Sequence, residues 1–253
     1  MGKKDTQYKA IFSTDWSECL SPTGPFDFIS FTYPELEPEL NVVFKQYTGN
    51  QISLGDASKR IQGLLPAPIS EGQMDAYLDA SFATYKNVPD LIDWCLSRDI
   101  LFMINTTAMV GYFQRVFAMG LIPQIPVLSA NPLVEYAGSD SDPGSVYPLH
   151  EIMDKGKNTE AAVREFQIPN DKIMLMGDSG GDGAHFEWGQ QADAYKIGSM
   201  TKVSLSVYCE NKDIRIDHRF GHSYAQGEER DVEKEMQFDF MELTEMIEEK
   251  LNI

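Results

Sequence analysis

The sequence predicts an α/β fold: a doubly wound parallel sheet with a small helical segment inserted after the first strand. Short, mainly apolar runs recur at 8–13 (YKAIFS), 100–104 (ILFMI) and 172–176 (KIMLM). Runs of that length suit strands buried on both faces. Segments with helical spacing lie between them, and strands alternating with helices argue for a parallel sheet. Polar groups follow each run directly: Asp15 after the first, Asn105-Thr106-Thr107 after the second, Gly177 to Asp182 after the third. In parallel sheets, sites lie beyond the carboxyl ends of strands.

The elements follow in order. Residues 8–13 form the first strand. From 22 to 95 the character changes, with Pro34, Pro38, Pro66 and Pro68 as punctuation and Leu40/Val43/Phe44, Met74/Tyr77/Leu78 and Leu91/Trp94/Cys95 at i, i+3, i+4. This predicts a helical insert over 22–95, dividing a main domain of 1–21 and 96–253; the last helix, 88–97, can also pack with the main domain. The second strand is 100–104, and a helix runs from 107 to 119 and stops at Gly120. A third apolar run spans 122–128 with two prolines, 135–148 reads as loop, and a helix covers 157–166. After 172–176 and its glycine-rich turn, further strands are expected at 192–197 and 203–208. The last 24 residues read as one acidic helix with Phe240, Leu243, Met246 and Ile247 as apolar positions.

At 253 residues the chain is long enough for a large core without disulfides or structural metal. The net charge is −18. Such acidity repels phosphate backbones and anionic membranes, so neither nucleic acid nor membrane is an expected partner. No apolar run approaches the ~20 residues a bilayer demands. Cys19, Cys95 and Cys209 are odd in number and form no CxxC pair, which with no signal peptide places the protein in the cytoplasm. Met1-Gly2 with Thr6 fits a loose myristoylation pattern that is common by chance. Asn105-Thr106-Thr107 is formally a glycosylation sequon, but a structural role fits better.

Four places carry chemistry. Asp15 can act as nucleophile or metal ligand, or cap a turn. Asn105, Thr106 and Thr107 can hold a phosphoryl oxygen, or cap a helix. Lys155, in a turn before a helix, can neutralise a bound phosphate, although solvated lysines are far commoner. Asp178 and Asp182 lie four apart in Gly177-Asp178-Ser179-Gly180-Gly181-Asp182 and make a hard oxygen site for Mg²⁺. That last stretch also fits G-x-S-x-G, which would make Ser179 an esterase nucleophile with His218 or His222 as base. No HGGG-type oxyanion motif precedes it. A trypsin-like GDSGG needs an upstream histidine, and the first histidine here is His150. His218 and His222, with Asp213 and Asp217, resemble a transition-metal pair, but a loop or strand is the simpler reading. Glu228-Glu229-Arg230-Asp231 reads as a solvated face.

The order Asp15, Thr106, Lys155, Asp178/Asp182 resembles the haloacid dehalogenase-like (HAD) hydrolase superfamily, whose motifs are an Asp after the first strand, a Thr or Ser after the second, a Lys before a helix and a GDxxxD loop. The 23-residue step from Lys155 to Asp178 looks like the phosphoserine-phosphatase type. The resemblance implies a Rossmann-like core with residues 22–95 as cap. It implies Asp15 as nucleophile, forming an aspartyl-phosphate on a phosphorylated small molecule. It places Mg²⁺ on Asp15, the Ser17 carbonyl and Asp178, with Asp182 binding directly or through water. Thr106 and Lys155, with Asn105 as the alternative in register, would hold phosphoryl oxygens; Thr107 lies beside them.

One position departs from the pattern. Phosphatases of this superfamily carry D-x-D, with the second Asp as general acid. Ser17 stands there, followed by Glu18 and by Cys19 in place of the usual Thr. A serine protonates an alkoxide poorly, and loss of general acid help costs typically ~10²–10⁴-fold. Either the leaving group needs no acid, or Glu18 or a cap residue substitutes, or the chain is a binding or regulatory protein on this scaffold. Asp15-Trp16-Ser17 also resembles the D-W-A-G-T of phosphonoacetaldehyde hydrolases, C–P hydrolases with a cap lysine, for which Lys45 and Lys59 are candidates. Dehalogenases also lack the second Asp but work without Mg²⁺, which the Asp178/Asp182 pair argues against. Substrate identity and oligomeric state are not legible.

Overall fold

The computed structural model describes residues 7–48 and 51–253. The myristoylation pattern at Met1-Gly2 lies outside the described residues. A seven-stranded sheet organises the chain, and every pairing in it is parallel.

The first strand, β1 (Ala10–Thr14), is buried on both faces. The helical segment follows: α1 (Asp27–Thr32), a 3₁₀ turn at Pro34–Leu36, α2 (Glu37–Thr48), α3 (Leu54–Leu64), α4 (Glu71–Ser81) and α5 (Val88–Ser97). Ser53 and Ser70 cap α3 and α4 through Asp56 N and Gln73 N, and Gln73 closes a capping box. Next come β2 (Ile100–Met109), α6 (Val110–Ala118), β3 (Val127–Asn131), β4 (Ser145–Pro148), α7 (Asp154–Glu165), β5 (Ile173–Gly177), α8 (Gly183–Gln191), β6 (Tyr195–Ser199), α9 (Val203–Asn211) and β7 (His218–Phe220). The chain ends with α10 (Val232–Glu235), a 3₁₀ turn at Phe240–Leu243 and α11 (Thr244–Leu251).

The strand order is β4-β3-β2-β1-β5-β6-β7. The chain winds outward from β1 to β4, then returns to β5 and winds the other way. The direction reverses between β1 and β5, and ligands of open α/β sheets bind at the carboxyl ends flanking such a reversal. Phe12, Phe102 and Ile104 point to one face, against Val88, Leu91 and Phe113 of α5 and α6 and Ile247 and Leu251 of α11. Ile11, Leu101 and Met103 point to the other, against Ala162, Phe186 and Leu205 of α7, α8 and α9. Helices therefore cover both faces, as doubly wound topology demands.

Several boundaries differ from the sequence reading. The stretch 203–208 alternates polar and apolar residues and was expected as a strand, yet it is helical. Leu205 and Cys209 are its buried residues, four apart, while Val207 faces out. A right-handed crossover must return the chain from β6 to β7, and that requirement overrides the local alternation. The stretch 135–148 is loop only as far as 144, since Ser145–Pro148 forms the edge strand β4, where a terminal proline is tolerated. The proline-containing run yields a strand only from Val127, beyond Pro123 and Pro126. The strand β2 runs on to Met109, with a register shift against β3 between Asn105 and Met109, so α6 starts at Val110 rather than 107. The single terminal helix is three short pieces, although Phe240, Leu243 and Ile247 are buried as expected.

The helical segment is tied to the loops at the carboxyl edge. Glu151 accepts from Ser53 Oγ and from Leu54 N and Gly55 N. Arg115 bridges Asp75 and Glu71. No helix among the described residues is long and apolar enough to cross a membrane.

Candidate active site

The site forms where β1 and β5 end side by side. Thr14 pairs with Met176, so the loops carrying Asp15 and Asp178 leave the sheet together. Asp15 N donates to Met176 O at 3.0 Å, and Trp16 N donates to Asp15 Oδ1 at 2.6 Å, which orients the carboxylate. Carboxylate oxygens of Asp15, Asp178 and Asp182 lie within 4.8 Å of one another, and all three residues are buried.

The loop after β5 folds back tightly. Asp182 Oδ2 accepts from Asp178 N at 2.9 Å and Ser179 N at 3.2 Å. A Cβ on Gly177 would meet Asp182 Cγ at 2.4 Å, so glycine is required there. Ser179 caps the short turn 180–182, and no hydrogen bond among the described residues joins it to a histidine. His222 pairs instead with Glu228.

Lys155 is fully buried between two of the acids. Its Nζ lies 2.8 Å from Asp15 Oδ2 and 2.6 Å from Asp182 Oδ1. Burial alone would lower its pKa, but the two carboxylates raise it above the ordinary lysine value, so it stays cationic. The helix α7 begins at Asp154, one residue before Lys155, rather than after it. Asp154 turns the chain by accepting from His150 N and Glu151 N.

A buried polar web lies beneath the lysine. Asn105 Nδ2 donates to Lys155 O at 2.8 Å and to Thr159 Oγ1 at 3.0 Å. Thr159 also meets Ser13 Oγ at 3.0 Å and His185 Nε2 at 2.9 Å. Asn105 thus holds the first turn of α7, which positions Lys155. The register sets Asn105 one residue beyond Ile104, the partner of Thr14, and therefore level with Asp15. Thr106 is buried, and its Oγ1 accepts from Ala108 N in the irregular stretch of β2. Thr107 is buried beside it, and Ser17 is buried on the loop after Asp15.

The sequence reading missed the second cation. Lys202 follows β6, and its Nζ lies 2.7 Å from Asp178 Oδ2. That oxygen is nonetheless buried without a hydrogen bond. Lys202 also pairs with Glu18, whose other oxygen takes Arg230 Nη1 at 2.8 Å. Arg230 in turn bonds the fully buried Glu235, which accepts from Tyr85 OH at 2.5 Å and Tyr224 OH at 2.8 Å. The run 228–231 is therefore not simply a solvated face. The one available signal was a lysine just past a strand's carboxyl end.

Burial raises the Asp15 pKa against the opposing pull of Lys155, and pushes Asp178 up to about 8 against Lys202. Three carboxylates meeting two lysines in a dry site remain short of positive charge. Hard oxygen donors in mutual proximity fit a divalent cation.

The solved structures that resemble this chain include a phospho-aspartyl intermediate analogue of phosphoserine phosphatase, with TM-score 0.65 and 14% identity over 94% of this chain and 99% of that one. A substrate-bound phosphoserine phosphatase complex matches with TM-score 0.65 and 13% identity over 94% and 98% of the two chains. The chain has the HAD-like fold. A HAD family hydrolase from Salmonella enterica subsp. enterica serovar Typhi matches with TM-score 0.63 and 15% identity, over 84% of this chain and 68% of that one. No protein-family model matches, and no curated protein matches in sequence. In the HAD-like frame, Asp15, Lys155, Asp178 and Asp182 converge at the carboxyl ends of the central strands.

Proposed function

We propose that the protein is a Mg²⁺-dependent hydrolase of a phosphorylated small molecule, acting through an aspartyl-phosphate on Asp15. The buried cluster of Asp15, Asp178 and Asp182, bridged by Lys155, carries this reading. Asp15, the Ser17 carbonyl and Asp178 would hold the Mg²⁺, with Asp182 direct or through water. When bound, the ion supplies the positive charge that phosphoryl oxygens require. Residues 22–95 act as the cap, with α5 packed on the core.

The roles of the side chains follow from their bonds. Asp15 attacks phosphorus, and the hydrogen bond from Trp16 N holds the carboxylate for attack. Lys155 neutralises phosphoryl oxygens while keeping Asp182 in place. Thr106 and Thr107 lie near the phosphoryl group, and Asn105 serves by fixing Lys155. Glu18 cannot stand in for the missing acid of D-x-D, because both its oxygens are held by cations. The reading therefore favours leaving groups that depart with little protonation. Ser17 also keeps the C–P hydrolase alternative open, with Lys45 or Lys59 as its amine.

The test is hydrolysis of 4-nitrophenyl phosphate with and without Mg²⁺, by the wild type and by Asp15→Asn. Turnover that needs Mg²⁺ and vanishes in Asp15→Asn is expected. Turnover that survives Asp15→Asn overturns the mechanism.

A further inference from the structure

A cavity of about 230 Å³ opens where the helical segment meets the core, lined by Glu18, Phe26, Asp27, Leu40, Asn41 and Arg230 among others. Gly24 and Pro25 line it too, and the same two residues line a narrow slot that reaches Trp16 and Ser17. With Glu18 in its wall, the cavity lies beside the loop that carries Asp15. Its size, below the ~300–1,000 Å³ of drug-sized pockets, suits an organic group of a few carbons.

The charges on the wall are unequal. Arg230 is the cation among the lining residues, and it is neutralised by Glu18 at 2.8 Å and Glu235 at 2.7 Å. Asp27 adds a carboxylate to the wall, and its Oδ2 accepts from Gly24 N at 2.7 Å. Phe26 and Leu40 supply apolar wall. Glu18 is matched by Lys202 and Arg230, so an anionic group entering here would meet the Asp27 carboxylate and no unneutralised cation, whereas an ammonium or a neutral group meets no such opposition.

We infer that this cavity takes the organic half of the phosphorylated substrate, and that this half is uncharged or cationic rather than carboxylate-bearing. The inference rests on the phosphohydrolase reading but concerns selectivity, so the two fail separately. Three phosphonates of similar size vary only the charge: 2-aminoethylphosphonate, propylphosphonate and phosphonoacetate. Their dissociation constants are measured calorimetrically on the full chain with Mg²⁺, for the wild type and Asp27→Asn. The aminoethyl and propyl compounds should bind about tenfold or more tighter than phosphonoacetate, a typical scale for one unfavourable charge in a partly solvated site. Asp27→Asn should narrow the gap between the aminoethyl and propyl compounds. Equal or tighter binding of phosphonoacetate overturns the inference, as does no binding of any of the three. The Asp15→Asn assay judges the underlying reading independently of either result.

Discussion

Gly177 and Asp182 approach so closely that a Cβ on the glycine would stand 2.4 Å from Asp182 Cγ. That contact lets the acidic loop fold back far enough for Asp182 to reach Lys155. Gly177→Ala should cost about 1–3 kcal/mol, as overpacking does, and weaken Mg²⁺ binding because Asp182 moves. Gly181→Ala, whose Cβ meets nothing closer than Ser179 Oγ at 3.5 Å, is the control. Denaturant unfolding and Mg²⁺ titration check both, and equal behaviour of the two variants would show that the contact is unimportant.

Ser17→Asp restores a carboxylic acid at the position where the superfamily pattern has one. Turnover of an alkyl phosphate should rise by up to about 10²–10⁴-fold, the usual range for general acid help. Aryl phosphate turnover should change little, because a phenolate leaves without a proton. If both substrates respond alike, the missing acid does not limit the reaction.

Glu235 anchors the outer end of the charge chain and is fully buried. Replacing Arg230 by Met leaves it there without its cation, at a cost of about 3–5 kcal/mol. Glu235→Gln should cost less, about 1–3 kcal/mol, since the phenols of Tyr85 and Tyr224 keep an acceptor. Thermal unfolding of the two variants checks the order. A smaller loss for Arg230→Met would mean that the network contributes little to stability.

His185 is buried against Thr159, and burial followed by the nearby Lys155 charge lowers its pKa to about 3. The unfolded chain binds the proton near pH 6.5, the native state only near 3. Stability from the neutral ring is thus present above pH ~6.5 and is lost as pH falls toward 3, at up to ~1.4 kcal/mol per pH unit. His185→Gln should flatten that part of the stability profile. An unchanged slope in the variant would place the acid sensitivity elsewhere.

Much of the fold was legible because the central strands β1, β2 and β5 open on short apolar runs, a length and pattern that suit strands buried on both faces. Asp15 and the Asp178/Asp182 pair were legible for a related reason: charge straight after such a run has few structural uses. The strand expected at 203–208 failed because Val203, Leu205 and Val207 alternating with Ser204 and Ser206 imitate a two-residue period, while the crossover demanded a helix. Lys202 and Arg230 were not legible, since a lysine or arginine in a polar stretch looks the same whether solvated or paired.

By itself the sequence determined the α/β class and the helices between the first two strands, and it singled out the three acids that cluster, because local periodicity and polarity encode which faces are buried. Only the tertiary structure decided that Asn105 supports Lys155, that Glu18 is held between Lys202 and Arg230, and that a cavity opens beside Glu18. Those relationships join residues 50 to 212 positions apart. They depend on strand register and loop return, and no local pattern records the partner.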